Sequence, residues 1–175
     1  MAFCDWSSDV CSSDLGVQLK WPNDLVTSEG KLGGILIEMR TESGGPVHVV
    51  IGIGVNVALP ADLQATLAQM GTAAADLAGL AAPAPAPARA DLTAALIREG
   101  IGAVREFAAS GFAPFLDEYQ AADALRDRPV RLQGSGPVDD GVARGVDADG
   151  ALRVERQGQV HRIIAGEVSV RTAST

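Results

Sequence analysis

Three clusters in the first third of the chain hold residue types that could do chemistry: Lys20-Trp21-Pro22-Asn23-Asp24, Lys31-Leu32-Gly33-Gly34-Ile35-Leu36 and Gly52-Ile53-Gly54-Val55-Asn56. In the first, Pro22 biases Trp21 away from the helical region, and Asn23 and Asp24 are turn formers, so an amide and a carboxylate arrive together on one polar break. In the second, Lys31 brings a point charge able to hold a carboxylate or phosphate and to stabilise charge developing at phosphorus. Gly33 and Gly34 let the backbone there approach a ligand closely or take a positive φ. In the third, alternating glycines on an apolar strand leave a slot for a flat or thin ligand, and Asn56 at its end could pair bidentately with an adenine edge. The structural alternatives are a hairpin with an exposed lysine and glycines that make room for a neighbouring helix. Gly52 and Gly54 lack the third glycine of the dinucleotide fingerprint, and no Walker-type Gly-x4-Gly-Lys-Ser/Thr occurs. Lys20 and Lys31 are also the only lysines in a chain whose other basic residues are all arginine. Lysine is a compact, mobile point charge and arginine a planar fork, which suggests two positions that need the former.

The composition narrows the classes. The 175 residues supply one ordinary domain, or one domain with a small appendage. Hydrophobic residues at 47% and charged residues at 21% are compatible with a packed core. No apolar run approaches the roughly 20 residues that span a bilayer, and no signal peptide opens the chain, so a cytoplasmic protein without a membrane partner is expected. The net charge of −8, without any Lys/Arg cluster, argues against nucleic-acid binding through this segment. Cys4 and Cys11 are expected to be free thiols, and no metal site is expected from them.

The elements that must position the three clusters follow from patterning. Residues 1–15 repeat Ser-Ser-Asp without helix or strand period and are expected to be a non-native segment. From Gly16, Val17 and Leu19 alternate as a strand, Ile35–Met39 reads as a short strand, and Val47–Val57 as a longer one whose unbroken apolar stretch Val49–Val57 suggests burial on both faces. Asp62–Met70 reads as a short helix entered through Pro60, and Ala81–Ala90 as an exposed Ala-Pro loop. Asp91 is expected to cap a longer helix whose Ala94, Ile97, Ile101, Val104 and Ala108 form a packing stripe, ended by Gly111. Phe112–Ala124 reads as a further helical segment. Beyond Arg126, short strands at 130–132, 142–146, 152–155, 160–164 and 168–170, with a hairpin turn at Asp149-Gly150, indicate a small β-barrel or sandwich.

Taken together, Lys-Trp-Pro-Asn-Asp-Leu (20–25), Lys-Leu-Gly-Gly-Ile-Leu-Ile-Glu (31–38) and Ile-Gly-Ile-Gly-Val-Asn-Val (51–57) resemble, in order and spacing, three blocks of biotin–protein ligases. Arg128-Pro129-Val130, Gly145-Val146-Asp147 to Leu152, and Gly166–Arg171 resemble that family's small SH3-like C-terminal domain. The resemblance implies an α+β fold: part of a class II synthetase-like catalytic domain with a mixed sheet at 16–125, then an SH3-like β-barrel at 126–175. It implies that biotin attacks the α-phosphate of Mg2+-ATP to give biotinyl-5′-adenylate, and that a lysine of a biotin carboxyl carrier domain of a biotin-dependent carboxylase then takes the biotinyl group. Carried over residue by residue, Lys31 is the catalytic group, contacting the biotin carboxylate and the α-phosphate. Gly33, Gly34, Ile35, Gly52 and Gly54 border biotin. Asn23 and Asp24 organise the phosphate and metal side, and Asn56 holds adenine. Lys20 and Trp21 are positioning residues, and Glu167 and Arg171 contribute to ATP or acceptor handling.

One departure from the family bears on activity. Upstream of the Lys-Trp-Pro-Asn-Asp block such ligases carry a Gly-Arg-Gly-Arg-Arg-Gly-like loop and a Ser/Thr-bearing biotin segment, and neither occurs here. The resemblance therefore implies an N-terminally truncated ligase, inactive alone, with an exposed sheet edge. Two alternatives stay open: a non-catalytic module that binds a partner or forms a homodimer through that edge, and a lipoate ligase-like acyl-adenylating enzyme.

Overall fold

The computed structural model describes residues 15–41, 45, 47–133, 139–164 and 169–172. Cys4, Cys11 and Glu167 lie outside the described residues, as does the side chain of Arg171. By contacts the chain falls into two compact units, one running to Gln18 and resuming over Asn23–Arg89, the other made of Leu19–Pro22 and everything from Ala90 onward.

The first unit is built on strands β2 (Asp24–Thr27), β3 (Gly30–Thr41) and β4 (Val47–Val55), paired in that order, and β1 (Gln18–Lys20), next to β2 in the sheet, straddles the division between the units. β3 is longer than the run Ile35–Met39 suggests, because Lys31 to Gly34 pair with β2 on one side and Gly33 onward with β4 on the other. The Lys-Leu-Gly-Gly stretch is therefore strand, not loop. Short connections allow antiparallel pairing only, since a parallel pair needs a crossover of a dozen or more residues. β2–β3 and β3–β4 are accordingly antiparallel, and parallel contacts occur as isolated bridges, where a mixed sheet was expected. Helices α1 (Ala61–Gln69) and α2 (Leu77–Ala81) follow, the first entered through Pro60 and the second capped by Asp76.

The expectation that Val49–Val57 is buried on both faces is corrected. Val49, Ile51 and Ile53 on one face and Val50 on the other are all exposed, as are Ile37 (59%) and Met39 (70%) on β3. An unbroken apolar run records that two faces suit burial; it does not say that the described residues supply the cover.

The second unit begins, apart from Leu19–Pro22, with helix α3 (Arg89–Ser110). Asp91 lies in its first turn, and Gly111, at φ +68°, ends it. Its expected packing stripe is a true helix face but is not covered by the described residues: Ile97, Ile101 and Val104 are about half exposed. A short 3-10 turn (Ala113–Phe115) leads into α4 (Leu116–Ala122). Five strands then form an antiparallel sheet: β5 (Pro129–Gln133), β6 (Asp139–Val146), β7 (Leu152–Arg156), β8 (Gln159–Ile163) and β9 (Ser169–Thr172), in the order β8-β7-β6-β5-β9.

Alternation along these strands, with a register shift on β6 between Ala143 and Val146, sends Val130, Leu132, Ala143, Val146, Leu152 and Val154 inward, where they pack with Leu125 and Trp21. Fully burying a Val or Leu side chain contributes about 1.5–3 kcal/mol, so this cluster dominates the stability of the unit. The β6–β7 turn is organised by the Asp147 carboxylate, which accepts from Asp149 N at 2.9 Å and Ala151 N at 3.1 Å, with Gly150 at φ +81°. A second tight turn at Gln157-Gly158, both at positive φ, joins β7 to β8. No helix among the described residues is long and apolar enough to cross a membrane.

Candidate active site

Asn23 acts as a bracket. Its main-chain carbonyl accepts from Ile35 N at 2.8 Å and its side-chain Nδ2 donates to Ile35 O at 2.8 Å, so the turn after Pro22 is fastened to β3. Asp24 then stands opposite Gly34 in the β2–β3 register.

The register carries one irregularity. Leu25 pairs with Gly33 but Val26 pairs with Lys31, so Leu32 is an extra residue on β3. Such a bulge reverses the in–out parity of the strand at that point. Leu32 turns inward, 3% exposed. Lys31 is thereby brought to the side of Gly34, three positions on: its Cε lies 3.6 Å from where a Gly34 Cβ would stand. Lys31 Nζ meets Asp24 Oδ1 at 2.5 Å, with the two side chains 46% and 23% exposed.

The result is an open cleft of about 460 Å³. Asn23, Asp24 and Lys31 form its polar rim. Gly34, Gly52 and Gly54 form a floor without side chains, Leu36 stands on the same face, and Ile35 and Ile53 line the cleft from between these positions along the strands. The floor follows from register, since Gly34 faces Gly54 and Leu36 faces Gly52 across β3–β4. A thin apolar body fits along the floor with a negatively charged end at the rim.

Gly33 and Asn56 do not line this cleft. A Cβ at Gly33 would stand 2.2 Å from Gly54 O, so its need for glycine is set by strand packing. Asn56 Nδ2 donates to Lys31 O at 3.2 Å and to Ala75 O at 3.1 Å. With both amide hydrogens so placed, Oδ1 is the atom left to meet a base, and a bidentate pairing would require the amide to release one of these carbonyls. Trp21 belongs to the second unit: it is 4% exposed, and its Nε1 donates to Gly150 O at 3.1 Å. Lys20 lies in the same short stretch.

Sequence reasoning missed Gly30, Ala73–Ala75 and Asp76. Gly30 has φ +142°, and a Cβ on it would meet Ala73 C at 2.4 Å. This close approach lets Lys31 N donate to Ala73 O at 2.9 Å and Ala75 N donate to Lys31 O at 3.0 Å. Asp76 Oδ2 accepts from Leu59 N and Gln64 Nε2, and its Oδ1 from Gly79 N. The backbone N–H groups of Gly79 and Leu59 hold its carboxyl below the usual carboxylate range, against the effect of burial. The available signal was an aspartate just before Leu-Ala-Gly-Leu, a capping position for a short helix.

Two family models match the chain: "Biotin/lipoate A/B protein ligase family" over residues 7–56 and "Biotin protein ligase C terminal domain" over residues 127–171. The chain is 35% identical over 157 residues to the bifunctional ligase/repressor BirA of Escherichia coli, an alignment covering 90% of this chain and 47% of that protein. It is 29% identical to the biotin–[acetyl-CoA-carboxylase] ligase of Paracoccus denitrificans, covering 87% of this chain and 62% of the relative. The chain thus spans about half the length of the first of these relatives and less than two thirds of the second. In fold it is similar to the apo biotin protein ligase of Aquifex aeolicus, with TM-score 0.74 and 22% identity, covering 90% of this chain and 66% of that one. The same protein in complex with biotin and ATP matches at TM-score 0.73, again with 22% identity, covering 90% of this chain and 62% of that one. The chain is thus similar to biotin protein ligases over both matched segments, residues 7–56 and 127–171, and along most of its own length to these relatives.

Proposed function

We propose that this chain is the C-terminal portion of an ATP-dependent biotin–protein ligase, and that the cleft rimmed by Lys31 is where biotin is activated. The observation that carries this reading is the placement of Lys31 Nζ at the polar end of a cleft floored by Gly34, Gly52 and Gly54. The biotin ring system lies along the glycine floor, beside Ile35, and its carboxylate reaches the rim. There a carboxylate oxygen attacks the α-phosphorus of ATP, the bond to pyrophosphate breaks, and biotinyl-5′-adenylate forms. Lys31 leaves Asp24 for the negative charge shared by carboxylate and α-phosphate, and a positioned cation of this kind stabilises the transition state more than the separate reactants.

Magnesium would come with the ATP phosphates as part of the substrate, and Asp24, once released from Lys31, would be the carboxylate lining the cleft that could hold it. A cation of this type is commonly held by one or two carboxylates together with substrate phosphates. Asn56 Oδ1 accepts from the exocyclic amine of adenine, while its Nδ2 stays on Lys31 O and Ala75 O. In the second step the lysine amine of a biotin carboxyl carrier domain attacks the anhydride carbonyl, releasing AMP and a proton. Residues 126–175 are the SH3-like module of the family, and the first unit is part of the synthetase-like catalytic domain. An ATP-using ligase of this kind works in the cytoplasm.

Biotin-dependent ATP–pyrophosphate exchange tests the reading. The chain alone is expected to show little exchange, and a version extended upstream with a family-like segment is expected to exchange. Exchange by the bare chain would overturn the expectation of inactivity, and silence after extension would count against the ligase reading itself.

A further inference from the structure

Lys31 is held more firmly through its main chain than through its side chain. Its N–H donates to Ala73 O at 2.9 Å, and its carbonyl accepts from Ala75 N at 3.0 Å and from Asn56 Nδ2 at 3.2 Å. The partner segment, residues 73–75, belongs to no strand and meets β3 only as an isolated parallel bridge at Lys31 and Ala74. So short a contact has no ladder to keep it in place. The residue that follows it is Asp76, 5% exposed, whose carboxylate accepts from Leu59 N at 2.7 Å, Gln64 Nε2 at 3.0 Å and Gly79 N at 2.7 Å. Capping α2 requires only the bond to Gly79, which a serine would make as well. The other two bonds reach back to residues beyond β4 and in α1, and together with Asn56 Nδ2 to Ala75 O, Leu77 N to Asn56 O and Ala78 N to Val57 O they hold the 73–75 segment beside Lys31.

We propose that Asp76 is a positioning residue for Lys31: by anchoring residues 73–75 to Leu59 and Gln64, it sets where the Lys31 main chain, and so its ammonium group, stands at the rim of the cleft. What that ammonium does there rests on the ligase reading; where it stands does not.

The chain has two lysines, so Lys20→Arg leaves Lys31 as its one side-chain amine. Reductive methylation with 13C-formaldehyde then reports Lys31 in a carbon–proton NMR spectrum, beside the N-terminal amine. In the Lys20→Arg chain the Lys31 methyl resonance is expected to be displaced from that of free dimethyl-lysine by Asp24 and the cleft. Asp76→Ser, which keeps the cap to Gly79 and loses the other two bonds, should return the resonance toward the free position while circular dichroism stays unchanged. In the upstream-extended chain the same variant should lower kcat for pyrophosphate exchange on the order of tenfold to a hundredfold, because small misplacements of a reacting group are costly. KM for biotin and ATP should hold within about twofold, which separates positioning from loss of binding. A Lys31 resonance that stays in place in Asp76→Ser overturns the proposal. If Asp76→Ser does not fold, Gln64→Ala removes one of the anchoring bonds and is decided on the same resonance. A resonance that moves in a chain whose extended form shows no exchange upholds the positioning role and counts against the ligase reading alone.

Discussion

A Cβ added to Gly33 would stand 2.2 Å from the carbonyl oxygen of Gly54, whereas one added to Gly34 would meet nothing nearer than 3.4 Å. The two adjacent glycines therefore answer to different demands. Gly33→Ala drives a methyl into a backbone atom that cannot rotate away, so it is expected to destabilise the first unit by about 3 kcal/mol. Gly34→Ala and Gly54→Ala should leave the thermal midpoint nearly unchanged and weaken biotin binding, because the added methyl occupies the floor of the cleft. Thermal denaturation paired with calorimetric biotin titration separates the two classes; equal loss of stability in all three variants would contradict it.

Lys31→Met removes a charge from a pair that is partly exposed on both sides. Exposed ion pairs are worth about 0–1 kcal/mol, so the urea midpoint should hardly move. Adenylate formation in the upstream-extended chain should fall by about 10²–10³, the usual cost of one preorganised electrostatic group. Pyrophosphate exchange is the measurement, and retention of more than half the rate would remove Lys31 from the chemistry.

Trp21→Ala should cost about 3–5 kcal/mol through the cavity left in the core of the second unit. Trp21→Phe keeps most of the volume and loses the bond to Gly150 O, so about 1–2 kcal/mol is expected. Urea denaturation of the two variants gives the order; a Phe variant as unstable as the Ala variant would show that the hydrogen bond, not the volume, dominates.

Asp123 is buried, with Oδ1 accepting from Leu125 N at 2.9 Å and Oδ2 without a partner among the described residues. Burial pushes its carboxyl above the usual carboxylate range, opposed by the Leu125 N–H and the charge of Arg126. A carboxyl harder to ionise in the folded state favours folding most below its unfolded value, about 3.9, and that contribution is lost as pH rises through the folded value. Asp123→Asn keeps the bond to Leu125 and should raise the urea midpoint at neutral pH. The advantage should vanish below about pH 4, where both side chains are neutral.

Asp76 has the opposite sign. Its carboxyl is held down by the Gly79 and Leu59 N–H groups, so its contribution is complete above the unfolded value and is lost as pH falls through the folded one. Asp76→Asn should therefore lower the urea midpoint at neutral pH, and the loss should shrink on acidification. A deficit that is constant with pH would assign the effect to geometry, not charge.

Much of the second unit was legible because its strands alternate and its turns carry Asp and Gly, so local sequence and tertiary burial agree. α1 was legible from Pro60 and its spacing. The sheet of the first unit was harder. Lys31-Leu32-Gly33-Gly34 has a loop-like composition, yet pairing on both sides makes it strand, and only the register reveals that Leu32 is a bulge that moves Lys31 to the side of Gly34. The cleft glycines were visible as a pattern, but the different task of Gly33 was not, since it depends on a carbonyl twenty-one residues away in β4. Asp76 was missed for a similar reason: an aspartate before a short helix looks like a cap until its partners at Leu59 and Gln64 are known.

Residues 19–22 are counted with the second unit although the chain on both sides of them belongs to the first, and through them Trp21 becomes part of the second unit's core. The C-terminal strands are therefore not a detachable cassette. A gene fragment cut just before residue 127, where the C-terminal family match begins, would encode a sheet with a tryptophan-shaped vacancy. Grafting that half onto one of the relatives would succeed only where the recipient's own Lys-Trp-Pro segment fills the space. The two segments are thus expected to be exchanged between proteins as a pair, even though more than a hundred residues separate them in the gene.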